Sequence, residues 1–415
     1  MKKYFRGRSS ILTVIGLGLL FVFKSSPAQV PAPEPVPVHF GDKIFRPGAI
    51  WQDDQGAAIN AHGGGILYYD QTYYWFGEHK IEGAAGNKAR VGVHVYSSTN
   101  LYSWKDEGIA LAVSQDSKSE IAKGCVIERP KVIFNEKTKK FVMWFHLELK
   151  GQGYHAARSG VAIADKPTGP YQYLYSLRPN AGVWPENVPE EWRRPLAKEE
   201  AASLAQLKLP GGSVKGQAFP TNLIFRRDFE SGQMSRDMNL FVDDDQKAYQ
   251  IYSSEENGTL QISELTDDYL KPAGRYIRIL PGQFNEAPAM FKHAGKYFLI
   301  TSGTSAWSPN AARLATADSI MGVWTHLSNP CRGTDAQMKR TFESQSTFVL
   351  PVMGKRDAFI FMADRWRPKD AIDGRYVWLP VQWDKGIPVL EWKESWTLDN
   401  AFVPRRISPV IATKK

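Results

Sequence analysis

Five segments of the chain repeat one pattern: a polar residue, an apolar strand, a tight polar turn and a second strand rich in aromatic residues. They begin at Asn60, Glu128, Asp237, Glu286 and Gln345. Most are followed by another pair of short strands, which gives four strands per unit, as is typical of a β-propeller. The innermost strand of each blade opens onto the central axis. The five leading polar residues are therefore expected to converge on one pocket.

The repeat predicts an all-β fold, a five-bladed β-propeller with four-stranded blades, over about residues 45–405. The predicted blades span about 58–112, 126–177, 236–283, 284–330 and 343–396. The long interval between the second and third blades indicates an insertion at about 178–235, in which residues 189–209 carry helix formers. This partly helical insertion is either a surface excursion or a lid over the pocket mouth.

The N-terminus has the pattern of a secretory signal peptide over residues 1–28, with a basic start, an apolar stretch and a small-residue cleavage site. A Pro-rich linker follows at 29–44. The first 28 residues hold five basic residues and no acid, so the formal net charge of +9 falls to +4 without them. That charge is too small to indicate a nucleic-acid partner. We expect an exported protein, periplasmic or extracellular, with no membrane contact after cleavage and monomeric by default.

The two cysteines, Cys125 and Cys331, leave a disulfide or two buried thiols open. The chain has no Cys-x-x-Cys or His-x-x-x-His spacing, so no metal site and no cofactor are predicted. A structural cation such as calcium stays open.

The leading polar residues include three carboxylates, Glu128, Asp237 and Glu286, at the start of apolar strands. Hydrolysis of a glycosidic bond needs one group that protonates the leaving oxygen and another that activates water. The apolar Ala-Pro-Ala after Glu286 is expected to raise its pKa, as a general acid requires. Asp237 and Glu128 each adjoin an arginine, so ion pairing is the alternative interpretation for both.

Further candidates lie at strand ends and in loops. Glu78 and Asp364 are predicted to bind sugar hydroxyls or to pair with arginine. Tyr154, His146 and Trp307 offer aromatic faces for stacking on a sugar ring, with ordinary packing as the alternative.

With these residues in hand, the chain resembles glycoside hydrolase family 43, a family of inverting five-bladed propellers, and its exo-β-1,3-galactanase branch in particular. The resemblance covers about residues 45–400 and rests on eight ordered motifs: INAHGGGILYY, YYWFGE, ERPKVIFN, SRDMNLFVDDD, NEAPAMF, TSGTSAWSPNAA, SQSTFVLPV and FMADRW. The usual aspartate base of the first blade is missing, since Asn60 and His62 occupy that region.

The resemblance implies a role for each of these positions. Glu286 would be the general acid, Asp237 would orient it and tune its pKa, and Gln345 would act as base through its imidic acid form. Glu128 and Glu78 would bind the terminal sugar, with Arg129 and Tyr154 nearby. His62, Trp307 and Asp364 complete the predicted binding residues, independently of the resemblance.

The predicted function is release of terminal galactose from β-1,3-galactan or arabinogalactan-type glycans, so the expected partner is a polysaccharide or oligosaccharide. An α-L-arabinofuranosidase or β-xylosidase on the same fold is one alternative. A propeller that binds carbohydrate without cleaving it is the other, because the start of the first blade lacks a carboxylate.

Overall fold

A computed structural model describes residues 35–206 and 219–402. The predicted signal peptide and the first part of the linker lie outside these residues. In the described part of the chain, no helix combines the length and the apolar character needed to cross a membrane.

Four antiparallel sheets of four strands follow one another along the chain. The first contains β1 (His62–Tyr69), β2 (Thr72–Glu78), β3 (Gly92–Ser98) and β4 (Lys105–Ala112). The second contains β5 (Val126–Asn135), β6 (Lys140–Glu148), β7 (Arg158–Ala164) and β8 (Gln172–Leu177). The third contains β9 (Met238–Val242), β10 (Ala248–Ser254), β11 (Thr259–Leu265) and β12 (Pro272–Ile279). The fourth contains β13 (Asn285–His293), β14 (Lys296–Gly303), β15 (Arg313–Ala317) and β16 (Thr325–Leu327). An all-β propeller with four-stranded blades is confirmed.

The last repeat departs from the prediction, because it divides into two three-stranded sheets. Its strands, with the short strand that precedes it, are β17 (Cys331–Arg332), β18 (Gln345–Pro351), β19 (Phe359–Arg365), β20 (Arg375–Pro380), β21 (Gln382–Asp384) and β22 (Ile387–Glu391). One sheet has the order β18-β19-β20, whereas β22 pairs with β21 and, in parallel, with β17. The described chain therefore has six sheets, and the predicted count of five four-stranded blades is wrong. β17, which precedes the repeat, pairs with β22. The sequence pattern of the repeat itself does not indicate a partner strand that lies outside it.

Hydrophobic clusters lie between successive sheets, as expected when each sheet buries both faces. One cluster joins the first sheet to the sheet of β18–β20 and contains the fully buried Trp75, Trp104 and Trp378. Each buried tryptophan removes about 200 Å² from water, which contributes roughly 5 kcal/mol. The innermost strands β1, β5, β9, β13 and β18 lie side by side in that order, and β18 lies next to β1.

The insertion between β8 and β9 contains helices α1 (Lys198–Gln206) and α2 (Ile224–Arg227). Two further short helices, α3 (Asp335–Lys339) and α4 (Leu398–Ala401), flank the last repeat. Cys125 and Cys331 are both buried and unpaired, so the thiol interpretation agrees with the structure.

Candidate active site

A cavity of about 600 Å³ opens where the innermost strands begin. Most of the predicted site residues line it: Glu78, Glu128, Arg129, Tyr154, Asp237, Glu286, Trp307 and Gln345. Four of the five leading polar residues, Glu128, Asp237, Glu286 and Gln345, therefore converge as predicted, whereas Asn60 does not line the cavity.

β-Bulges direct these side chains into the cavity. The pairing of β5 with β6 shifts between Glu128 and Lys131, and that of β13 with β14 shifts between Glu286 and Ala289. Strands β1 and β18 are bulged at the corresponding point. Arg129 (φ 56°) and Ala287 (φ 53°), each just after a cavity-lining glutamate, adopt left-handed backbone. A bulge re-aims the side chain beside it, so the strand continues into the core while its first residues face the axis.

Glu286 has the properties of a protonated acid at neutral pH. Burial, followed by the negative charge of Asp237, raises its pKa to about 8. The Nδ2 atom of Asn257 donates a hydrogen bond to Glu286 Oε1 at 2.7 Å. Glu286 therefore carries a proton that it can give to a leaving oxygen.

Arg129 links three strands across the axis. Its Nη2 atom lies 2.9 Å from Asp237 Oδ2 and donates to Gln345 Oε1 at 2.6 Å, and its Nη1 atom donates to the carbonyl of Ser346 at 3.1 Å. Asp237 also accepts the backbone N–H of Ala287 at 3.0 Å. The arginine that pairs with Asp237 is thus Arg129, not its sequence neighbour.

Gln345 is held as an amide by three hydrogen bonds. Its Oε1 atom accepts from Arg129 and from Trp366 Nε1 at 2.8 Å, and its Nε2 atom donates to Ser302 Oγ at 2.9 Å. The two donors fix which end of the amide is oxygen. The positive charge of Arg129 also favours negative charge on that oxygen.

Glu128 begins a buried chain of charges, and the next member of the chain, His146, also lines the cavity. Its Oε1 accepts from Tyr154 at 2.7 Å, and its Oε2 meets His146 Nδ1 at 2.9 Å. His146 Nε2 lies 2.9 Å from Glu148 Oε1. Burial opposes charge on His146, but its bonds to the two carboxylates outweigh this and raise its pKa to about 9. Burial likewise opposes ionisation of Glu128, and His146 reverses this and holds the pKa of Glu128 below its ordinary value.

This arrangement corrects the interpretation of His146 as a residue in a loop that stacks on sugar. It lies on β6, is 1% exposed, and serves as a cation between two carboxylates.

Glu78 is buried and forms an ion pair with Lys80. Its Oε1 accepts the backbone N–H of Arg129 at 3.0 Å. Burial nevertheless raises the pKa of Glu78. Asn60, the leading residue of the first repeat, exchanges two 2.8 Å hydrogen bonds with the backbone of Lys80 and so has a structural role.

Two predicted binding residues do not line this cavity. His62 is 1% exposed and stacks on Tyr376. Asp364 accepts the backbone N–H of Gly63 and lines a neighbouring cavity of about 410 Å³. Trp307 is 36% exposed. Trp307 and Trp366 each line both cavities and together separate them.

Sequence reasoning missed several residues that line the larger cavity: His155, Leu204, Arg227, Arg236, Glu256, Asn257, Ala306 and Trp366. Trp366 follows directly after Asp364-Arg365 in the FMADRW motif, so its position was a usable signal. Leu204 and Arg227 come from the insertion, which therefore forms one wall of the cavity, and no repeat predicts them.

Glu128, His146 and Asp237 are close enough to hold a metal ion. Both ring nitrogens of His146 are already bonded to carboxylates, so His146 is a cation here and a poor ligand.

An axial cavity that joins the protonated carboxyl of Glu286 to the ionised carboxylate of Glu128 offers the kind of carboxyl pair that glycoside hydrolases use. The family model described as "Glycosyl hydrolases family 43" matches residues 218–388. A solved β-1,3-galactosidase of that family, bound to galactodeoxynojirimycin, is 52% identical, with a TM-score of 0.79 over 85% of this chain and 100% of that one.

Two solved exo-β-1,3-galactanases are also similar. The enzyme from Phanerochaete chrysosporium, with β-1,3-galactotriose, is 32% identical, with a TM-score of 0.68 over 87% of this chain and 70% of that one. The enzyme from Clostridium thermocellum is 32% identical, with a TM-score of 0.68 over 87% and 68%. No curated protein sequence matches significantly. The chain belongs to glycoside hydrolase family 43, and it is a glycosidase.

Proposed function

We propose that this glycosidase is exported, acts from chain ends with inversion, and releases terminal galactose from β-1,3-galactan. The galactose specificity is supported by the 52% identical β-1,3-galactosidase and by the exo-β-1,3-galactanase solved with β-1,3-galactotriose. The apolar N-terminal stretch supports export.

The observation that carries the proposal is Glu286, a half-buried carboxyl whose pKa of about 8 keeps it protonated at neutral pH. In the proposed mechanism it protonates the glycosidic oxygen as the bond to the anomeric carbon breaks. Asp237 keeps the pKa of Glu286 high through its charge, and Arg129 holds Asp237 in place.

Water activation is assigned to Gln345 because Asn60, and not a carboxylate, leads the innermost strand of the first blade. In the imidic acid form, Oε1 carries a proton and Nε2 has a lone pair that accepts a proton from water. Here Arg129 and Trp366 both donate to Oε1. The imidic acid forms when one Nε2 proton moves to Oε1, which leaves the net charge unchanged, gives Nε2 its lone pair and requires one of these two hydrogen bonds to Oε1 to be given up.

The sugar ring itself is assigned to other residues that line the cavity. The carboxylates of Glu78 and Glu128 accept its hydroxyls, Tyr154 donates beside them, and Trp307 provides an aromatic face.

The test is product analysis on de-arabinosylated arabinogalactan. Wild-type protein and the surface variant Glu230→Gln should release galactose, and Glu286→Gln should release about 100-fold less or none. Release of arabinose or xylose instead would support the other two enzyme activities. Binding without any release would support the carbohydrate-binding alternative. Fresh product read by NMR should show inverted anomeric configuration.

A further inference from the structure

The turn between β10 and β11 presents an amide to the proposed acid. Its residues Glu255, Glu256 and Asn257 have φ values of 52°, 57° and 64°. Three successive residues with side chains in the left-handed region persist only where the surroundings hold them. Such a run beside an active-site cavity calls for a functional reason.

Ion pairs hold this turn from both sides. Glu255 is fully buried and receives Arg278 Nε at 2.6 Å and Nη2 at 2.7 Å. Glu256 pairs with Arg227 at 3.1 Å and with Arg236 at 3.3 Å. The flanking residues thus fix the backbone, and the side chain of Asn257 is not needed to hold the turn.

Asn257 contributes a different contact. Its Nδ2 atom donates to Glu286 Oε1 at 2.7 Å, and its Oδ1 atom is buried without a hydrogen-bond partner among the described residues. Because Oε1 receives this N–H, the proton of the carboxyl belongs on Oε2, since a proton on Oε1 would oppose the donor.

We propose that Asn257 is a positioning residue that fixes the acidic proton of Glu286 on Oε2, the oxygen left free for the leaving group. This inference rests on the proposed function. When the glycosidic bond breaks, the proton passes from Oε2 to the leaving oxygen, and the resulting carboxylate keeps the Asn257 hydrogen bond. The donor therefore assists the acid most when the leaving group needs a full proton.

The charged groups that face Glu286 are Asp237, Arg129, Arg236 and Glu128. None of them is changed by a substitution at Asn257, so their influence on Glu286 is constant between variants.

The test compares two leaving groups. Asn257→Gly removes the donor and keeps a residue that accepts left-handed backbone. Gln246→Gly, at an exposed position with φ of 66° in the turn between β9 and β10, is the matched control. Substrates are β-1,3-galactobiose, a poor leaving group, and 2,4-dinitrophenyl β-galactoside, a good one that needs no acid.

For Asn257→Gly, kcat on galactobiose should fall by about 10- to 100-fold, while kcat on the dinitrophenyl substrate changes by less than about 3-fold. Gln246→Gly should match wild type on both. An equal loss on both substrates, or no loss on galactobiose, overturns the proposal. If wild type releases another sugar, the same comparison is made with the disaccharide and aryl glycoside of that sugar.

A second measurement does not depend on activity. Titration of the ¹³C-labelled Glu286 carboxyl, assigned with Glu286→Gln, should show a higher pKa in Asn257→Gly, because the lost N–H stabilised the charged form. An unchanged or lower pKa overturns the positioning role even if galactose release is confirmed. A higher pKa without galactose release would sink only the sugar assignment.

Discussion

Replacing Glu286 with glutamine should make the protein more stable at alkaline pH while it abolishes catalysis. The pKa of Glu286 rises from its ordinary 4.5 to about 8, chiefly through burial. Below pH 4.5 the carboxyl is protonated in the folded and the unfolded chain, so it costs the folded state nothing. Between pH 4.5 and 8 the unfolded chain ionises first, and above pH 8 the folded protein must hold a buried charge.

The size of the effect follows from that difference in pKa. Each pKa unit corresponds to about 1.4 kcal/mol, so the full penalty at pH 9 is about 5 kcal/mol. The cavity admits some water, so we expect a measured gain of about 2–5 kcal/mol for Glu286→Gln. The glutamine Oε1 can still accept the Asn257 hydrogen bond, which keeps the comparison close to a change of charge alone.

The assay is urea unfolding of wild type and Glu286→Gln at pH 4.5 and pH 9. The variant should gain little at pH 4.5 and most at pH 9, and the exposed Glu230→Gln should show no such dependence. An equal change in unfolding free energy at both pH values would refute the claim that burial of the Glu286 charge destabilises the folded protein.

Three further predictions concern neighbouring residues. Asp237→Asn removes a negative charge beside Glu286, so the alkaline limb of the kcat/KM profile should move to lower pH; movement to higher pH would contradict the assignment. His146→Gln should destabilise the protein most below pH 6.5, by about 3 kcal/mol, and least above pH 9, because the contacts that raise the pKa of His146 stabilise only its charged form. Urea unfolding at pH 6 and 10 measures the difference. A loss of stability that does not depend on pH would count against a charged His146. Leu204→Ala should raise KM for galactotriose several-fold and leave KM for the aryl galactoside unchanged, since Leu204 belongs to the wall that the insertion forms. Equal changes in KM for the two substrates would show that Leu204 does not contact the longer substrate.

The sequence predicted the innermost strands and their polar leaders because both follow from local pattern. Apolar alternation defines a strand, and a carboxylate at its start is conspicuous without any tertiary information. Glu128, Glu286 and Gln345 each lie within the first three residues of a strand, and Asp237 lies just before one. The pocket was therefore predictable from the local sequence pattern.

The partners of those residues were not predictable in the same way. Arg129 pairs with Asp237, and Glu128 pairs with His146, although each acid has an arginine beside it in the chain. Neighbours in a strand point to opposite faces, so an adjacent arginine is badly placed to pair with an acid that faces the axis. The bulges also change the directions in which neighbouring side chains point. The left-handed backbone conformation of the bulge residues depends on contacts between strands.

Bulges also explain how the fold accommodates so many charges at its centre. A regular inner strand would place alternate residues into the hydrophobic layers between sheets, where an unpaired charge costs several kcal/mol. The bulge lets Glu128 and Arg129 both reach polar partners while Val132 and Ile133, further along the same strand, remain buried among apolar side chains. Deleting Arg129 would remove the extra residue of the bulge, so Glu128 and Lys131 would keep their partners His146 and Trp144 while the side chain that pairs with Asp237 would be lost. The leading polar residue and the bulge after it therefore form one structural unit. In this fold, an acid at the start of an inner strand lines the cavity only where the strand is bulged beside it. Asp237 reaches the cavity in another way, because it precedes its strand.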